Sequence, residues 1–275
     1  MNKIIFSKTV GPISAQLMQK LFEQGKLIFT LNEACEIYGH DIQKTSQFLR
    51  DLVNRGIVAR LKAGLFLILQ IGQENTQLSN WPIIAKALAE NNEYCLSHYS
   101  AMRLHGMTTH PLVDVIITMP KRRAAKKIYN NLYKFIYSKP EHFWGLTELW
   151  VTKQDKVFVS DLERTILDAL TRPDLCGGLK EIVRGIWVKQ KQIDWQKLIQ
   201  YAHKYHTLAA VKRLGFILVI LDLGIEYIPT LEHIIASKKD YILLDPNGPK
   251  LGKYLSRWRV QINMDIDEIK ASVWG

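Results

Sequence analysis

At 275 residues the chain exceeds one average domain of roughly 100–200 residues, so two units are expected. A hydrophobic content of 47% is enough for ordinary buried cores, and a formal net charge of +11 points to an anionic partner. Cys35, Cys95 and Cys176 are odd in number and far apart, which argues against a disulfide framework or a Cys-based zinc site and for reduced thiols.

Met1 to Ser14 lacks a sustained apolar stretch of signal-peptide length. The most lipid-like run, Leu214 to Leu221, is far shorter than the ~20 residues that span a bilayer. A cytoplasmic protein with no membrane partner is therefore expected.

In chain order, Pro12 suits a first helical turn, and Ile13, Leu17 and Leu21 recur on one face of a first helix. Leu27-Ile28-Phe29 reads as an apolar link. Thr30-Leu31-Asn32-Glu33 matches a capping box, starting a second helix near Leu31 that stops near Gly39. A third helix spans Asp41 to Arg55, with Ile42, Phe48, Leu49, Leu52 and Val53 on its apolar side. Gln43, Gln47, Arg50 and Asn54 fall on the opposite side, flanked by Lys44. Amide and guanidinium groups can bond adenine and guanine edges bidentately in a major groove. Ile57 to Leu69 reads as two short strands around Lys62-Ala63-Gly64, with Arg60 and Lys62 placed for phosphate or minor-groove contact. Three helices, a short turn and a Gly-tipped hairpin predict a winged helix-turn-helix domain over residues 1–72, with double-stranded DNA as partner. Any surface helix carries such residues, so the order of elements weighs more than its polar face.

Residues 73–80 are polar and predict a linker. Helices follow over Trp81 to Glu90 and about Leu96 to Leu104. His98 and His105 lie seven apart with His110 beyond, but no companion carboxylate sits at metal-ligand spacing, so neither a metal nor a cofactor is expected. Val113 to Met119 alternates as a strand. Residues 121–139 hold Lys121, Arg122, Arg123, Lys126, Lys127, Lys134 and Lys139 without an acidic residue, interleaved with Tyr129, Tyr133, Phe135 and Tyr137. Such a mixture can hold a nucleic-acid backbone and stack bases, or can be a solvated segment leading into a strand whose aromatics face the core. Leu149 to Thr152 and Lys156 to Ser160 predict a hairpin.

Ser160-Asp161-Leu162-Glu163 reads as a second capping box, opening a helix with Ile166, Leu167 and Leu170 on its apolar face. The run Ser-Asp-Leu-Glu-Arg-Thr-Ile-Leu-Asp over 160–168, followed by Pro173 and Gly177-Gly178, resembles the AbiEi antitoxins of bacterial type IV toxin–antitoxin systems of abortive infection. Ser97 to Gly106 is similar to that family's Ser-Ala-x-x-x-His-Gly element, and Arg213-Leu214-Gly215 to its late-helix element. The resemblance spans nearly the whole chain. It implies a transcriptional autorepressor acting on its own promoter, on inverted repeats, and a C-terminal domain that counteracts a nucleotidyltransferase-type toxin without needing a stable complex with it. It assigns no residue to that second activity.

The remainder predicts helices over Gly178 to Lys191, Trp195 to Tyr205, Ala209 to Leu223 and Thr230 to Ser237. Strands Tyr241 to Leu244 and Trp258 to Ile262 flank the turn-forming Asp245-Pro246-Asn247-Gly248-Pro249. Lys250, Lys253, Arg257 and Arg259 form a basic cluster, and Arg257 and Arg259 are candidates to continue a second basic surface with Arg122, Arg123, Lys126 and Lys127. The expected class is thus α+β, with the winged helix followed by a larger, mixed α/β, largely helical domain over 80–275, mixed in 80–160 and mainly helical in 161–275.

A nucleotidyltransferase needs a Gly-Ser turn followed by closely spaced carboxylates, and none is present. No nucleophile motif stands out either, so no catalytic residue is expected. The alternative is a nuclease-like, nucleic-acid-processing enzyme targeted by the winged helix, with Asp114 and the Glu268-Ile269-Lys270 run as its carboxylates.

Overall fold

The computed structural model describes residues 11–69, 80–90, 92–111, 114–128 and 130–274. Most of the predicted linker (73–79), Val113, Tyr129 and the first ten residues lie outside the described residues. The chain is a mixed α+β protein of two compact units, one of residues 1–91 with 126–132, the other of 92–125 with 133–275.

In the first unit, α1 (Pro12–Glu23) starts with Pro12 where the missing N–H is harmless, and buries Leu17, Met18 and Leu21. The predicted link is instead a strand, β1 (Ile28–Thr30). Helix α2 (Leu31–Tyr38) begins at a complete capping box: Glu33 N donates to Thr30 Oγ1 at 3.2 Å and Thr30 N donates to Glu33 Oε2 at 2.7 Å. Burial opposes the charge on Glu33, but Lys26 Nζ at 2.5 Å and the Thr30 donors hold its carboxyl below the ordinary value. Gly39, at φ +73, ends α2 in a conformation other residues adopt only with strain. Asp41 then caps α3 (Ile42–Asn54) by accepting from Lys44 N at 2.8 Å. Strands β2 (Val58–Lys62) and β3 (Leu65–Ile68) complete an antiparallel sheet of order β1-β3-β2, with a register shift between Arg60 and Lys62. Leu17, Leu21, Phe29, Leu49, Leu52 and Phe66 form the core beneath it. Helix α4 (Trp81–Ala89), expected to open the second domain, groups with this unit.

The second unit carries β4 (Cys95–Leu96), α5 (His98–Leu104) and β5 (Asp114–Met119). The basic segment then folds as β6 (Lys126–Ile128), which groups with the first unit, and β7 (Asn131–Tyr137). The hairpin β8 (Leu146–Trp150) and β9 (Lys156–Ser160) begins three residues earlier than its pattern suggests. Order within the sheet is β7-β5-β4-β9-β8, with β4 antiparallel to β5 and parallel to β9. Helices α6 (Leu162–Thr171), α7 (Leu179–Lys189), α8 (Trp195–Lys204), α9 (Leu208–Leu221), α10 (Ile228–Ile235) and α11 (Ile266–Trp274) follow, with β10 (Ile242–Leu243), β11 (Lys253–Leu255) and β12 (Val260–Ile262) as a second, small sheet. At its centre lies α6, buried from Glu163 to Leu170 and packed on α5, α7, α8 and α9.

The cap of α6 corrects the sequence reading. Asp161, not Ser160, is the N-cap, accepting from Arg164 N at 2.8 Å. Ser160 is in the strand and faces Thr165 Oγ1 at 3.0 Å. Glu163 does not fold back as a capping box requires, because it accepts from Asp194 N at 3.0 Å and ion-pairs with Lys197 at 2.9 Å. The Arg213 guanidinium crosses from α9 to Leu244 O (2.9 Å), Leu170 O (2.7 Å) and Leu243 O (2.9 Å), tying α9 to α6 and the small sheet. Burial lowers its pKa to about 10, still well above neutrality.

Candidate nucleic-acid interface

Helix α3 separates its residues by chemistry. Thr45, Leu49 and Leu52 are buried, while Gln43, Lys44, Gln47, Arg50 and Asn54 are exposed. Positions 43, 47, 50 and 54 follow the 3.6-residue repeat, so they form one stripe about 16 Å long at 1.5 Å per residue. Arg50 Nη1 donates to Gln47 Oε1 at 3.2 Å, which holds both side chains on that stripe. Asp41, Gln43, Lys44, Ser46, Gln47 and Arg50 line an open concave surface along the first turns.

One assignment on this helix is corrected. Ile42, placed on the apolar face by its spacing, is 62% exposed. It is the first residue of α3, one turn ahead of Thr45, where the helix first reaches the core. Its side chain and that of Ser46 therefore join the candidate surface, and an apolar side chain there can meet a thymine methyl. The hairpin residues divide: Arg60 is exposed, with Nε 3.4 Å from Lys62 O, whereas half-buried Lys62 is paired with Glu90 at 3.1 Å.

The second basic cluster is less unified. Arg122 lies 5.2 Å over the Tyr137 ring and Arg123 5.3 Å over Phe135. Lys126 and Lys127 group with the first unit. Arg257 is instead ion-paired with Glu232 at 2.5 Å and lies over Trp258, and Arg259 takes a turn conformation at φ +53. The carboxylates weighed for a nuclease are each ion-paired on separate elements: Asp114 with Lys134 at 2.6 Å on β5, Glu268 with Lys180 at 2.5 Å on α11. Among the described residues no group of three His, Cys, Asp or Glu is placed to hold a metal ion, and no helix is long and apolar enough to cross a membrane.

The stretches 97–106 and 160–168, distant in sequence, meet in space. His105 Nε2 lies 2.7 Å from Ser160 O, and Ser97 Oγ lies 2.9 Å from His98 Nδ1 and 2.7 Å from Thr118 Oγ1. Burial pushes His98 and His105 below the ordinary imidazole range, against nearby carboxylates and, for His105, the Ser160 carbonyl. An unfolded histidine titrates near about 6.5, so below that pH the unfolded chain binds more protons than the folded one. Stability is therefore fully present above about pH 6.5, falls as pH drops towards 5, and levels off below the folded values. Urea midpoints measured from pH 7.5 to 5 check this, and His98→Asn should flatten part of the fall.

No family model matches the chain, and no curated protein does. Its fold is similar to the crystal structure of the RV2827C protein from Mycobacterium tuberculosis, with a TM-score of 0.70 at 12% identity, the match covering 97% of this chain and 96% of that one. At that identity the likeness extends to the fold alone.

Proposed function

We propose that the first unit is a winged helix-turn-helix module that reads double-stranded DNA with α3, and that the chain is an autorepressor and antitoxin counteracting a nucleotidyltransferase-type toxin. The observation that carries the DNA half is the exposed stripe of Gln43, Gln47, Arg50 and Asn54, backed by buried Leu49 and Leu52 and followed by a hairpin bearing Arg60. The order α1-β1-α2-α3-β2-β3 supports it, since it presents one helix beyond a short Gly39 turn. The antitoxin half rests on the resemblance carried by residues 97–106, 160–168 and 213–215. The second unit accordingly acts on the toxin through groups that this reading leaves unassigned.

The DNA half is tested by fluorescence anisotropy on the chain's own promoter. Gln47→Ala and Arg50→Ala are each expected to weaken specific binding by about 1–3 kcal/mol, roughly 5- to 150-fold. Lys44→Ala should weaken binding across sequences and lower the salt slope by about one. Unchanged promoter affinity in both α3 variants would remove this face as the reader. For the antitoxin half, a neighbouring nucleotidyltransferase-like reading frame should be toxic alone and tolerated when this chain is co-expressed.

A further inference from the structure

The second unit contains a cavity of about 120 Å³ between β4, β5, α6 and the 138–146 loop, far larger than the roughly 10–15 Å³ one water needs. Its floor is the Arg164–Asp168 pair, whose side chains are only 7% and 9% exposed. Asp168 Oδ1 accepts from Arg164 Nε at 2.8 Å and from Tyr205 Oη at 2.6 Å. Its Oδ2 has no hydrogen-bond partner among the described residues. His98, 7% exposed, is similarly placed: Nδ1 meets Ser97, and Nε2 has no partner among them.

His98 also holds a left-handed backbone at φ +51. Such a conformation costs a non-glycine residue energy and is concentrated at binding sites. Aromatic rings line the walls. His142 and His206 stack at 4.5 Å and 27°, Tyr205 lies 4.7 Å from His206, and Trp144 and Tyr205 meet edge to face at 6.1 Å.

Charge narrows the class of ligand. Arg164 is matched by Asp168 and Arg172 by Asp174 at 2.6 Å, so the cavity is formally neutral. An ion of either sign would have to compete with a pair already made. Flat walls, a spare carboxylate acceptor and a spare imidazole nitrogen suit a neutral planar ring that can donate as well as accept. We propose that this cavity binds an amino-bearing nitrogen heterocycle of the nucleobase type, stacked against the aromatic walls, with Asp168 Oδ2 accepting from its amino group and His98 Nε2 meeting a ring nitrogen.

The experiment is isothermal titration of the full-length protein with adenosine, cytidine, guanosine, uridine and inorganic phosphate. One site is expected for at least one amino-bearing nucleoside, with uridine about tenfold weaker because its one ring donor, N3–H, lies between two carbonyl oxygens that would face the Asp168 carboxylate. His98→Asn keeps a residue tolerant of positive φ and should weaken binding about tenfold. Asp168→Asn should erase the preference over uridine; if circular dichroism shows that variant unfolded, His98→Asn alone carries the site assignment. The proposal is overturned by no saturable binding of any nucleoside, by phosphate competing at equal strength, by uridine binding as well as the others, or by undiminished binding in His98→Asn.

Discussion

Asp168→Ala is expected to destabilise the second unit by about 3–5 kcal/mol, because it breaks a buried ion pair and leaves the surviving charge buried. Arg164 is then left with the His142 and Trp144 carbonyls, at 3.1 and 3.3 Å, and Tyr205 Oη loses its acceptor in a largely buried setting. The Trp144 and Tyr205 rings, 4.2 and 5.1 Å from the guanidinium carbon, offset only part of that loss, since a cation–π contact contributes about 0.5–2 kcal/mol. Replacing both partners with apolar residues of similar volume, Arg164→Met with Asp168→Leu, should cost far less than the two single changes summed, because no charge is then stranded. Urea unfolding of the two single variants and the double variant gives the coupling energy. A loss below about 1 kcal/mol in Asp168→Ala would mean that water reaches the pair and that it does not hold α6 in place.

Which parts of this architecture are legible in the sequence follows from how local their causes are. Pro12, the Thr30/Glu33 box, Gly39 and Asp41 act within a few residues, and each helix boundary they predict in the first unit is found within two residues. Strand β1 is three residues long and exists because Ile28, Phe29 and Thr30 pair with Leu67, Phe66 and Leu65, which no local pattern announces. At α6, Ser160 and Asp161 are both competent caps. The choice is made by Lys197 and Asp194, more than thirty residues on, which recruit Glu163 away from the helix start. The exposed stripe of α3 is readable because amphipathicity is periodic, but Ile42 is misplaced because period alone does not say where a helix leaves its core. The cavity as a whole is not legible, since its lining residues run from Cys95 to His206. A trace of it exists: Arg164 and Asp168, spaced i,i+4, are the charged pair in the middle of a helix with no exposed polar face, and such a pair must be satisfied internally.

Gly215→Ala tests a second tie of the same unit and sets two effects of opposite sign against each other. Alanine is favoured over glycine inside a helix by about 1 kcal/mol, so on propensity alone α9 should gain. Packing opposes this, because a Cβ at Gly215 would fall 2.0, 2.3 and 2.4 Å from three ring carbons of Trp258. Trp258 is fully buried and cannot rotate away into solvent, so ring or backbone must shift by more than 1 Å. Overpacking of this kind costs about 1–3 kcal/mol and occasionally more, and three contacts this short place the change at the upper end. A net loss of about 2 kcal/mol is expected, lowering the thermal midpoint by roughly 4–8 °C. Trp258→Leu vacates the ring, and the indole nitrogen it removes has no hydrogen-bond partner among the described residues, so no acceptor is orphaned. Gly215→Ala in that background should therefore be near neutral or stabilising, with the propensity gain no longer masked. Equal costs of Gly215→Ala in the two backgrounds would locate its effect elsewhere than at the ring, and would leave Arg213, on the same helix, as the main bond between α9 and the small sheet.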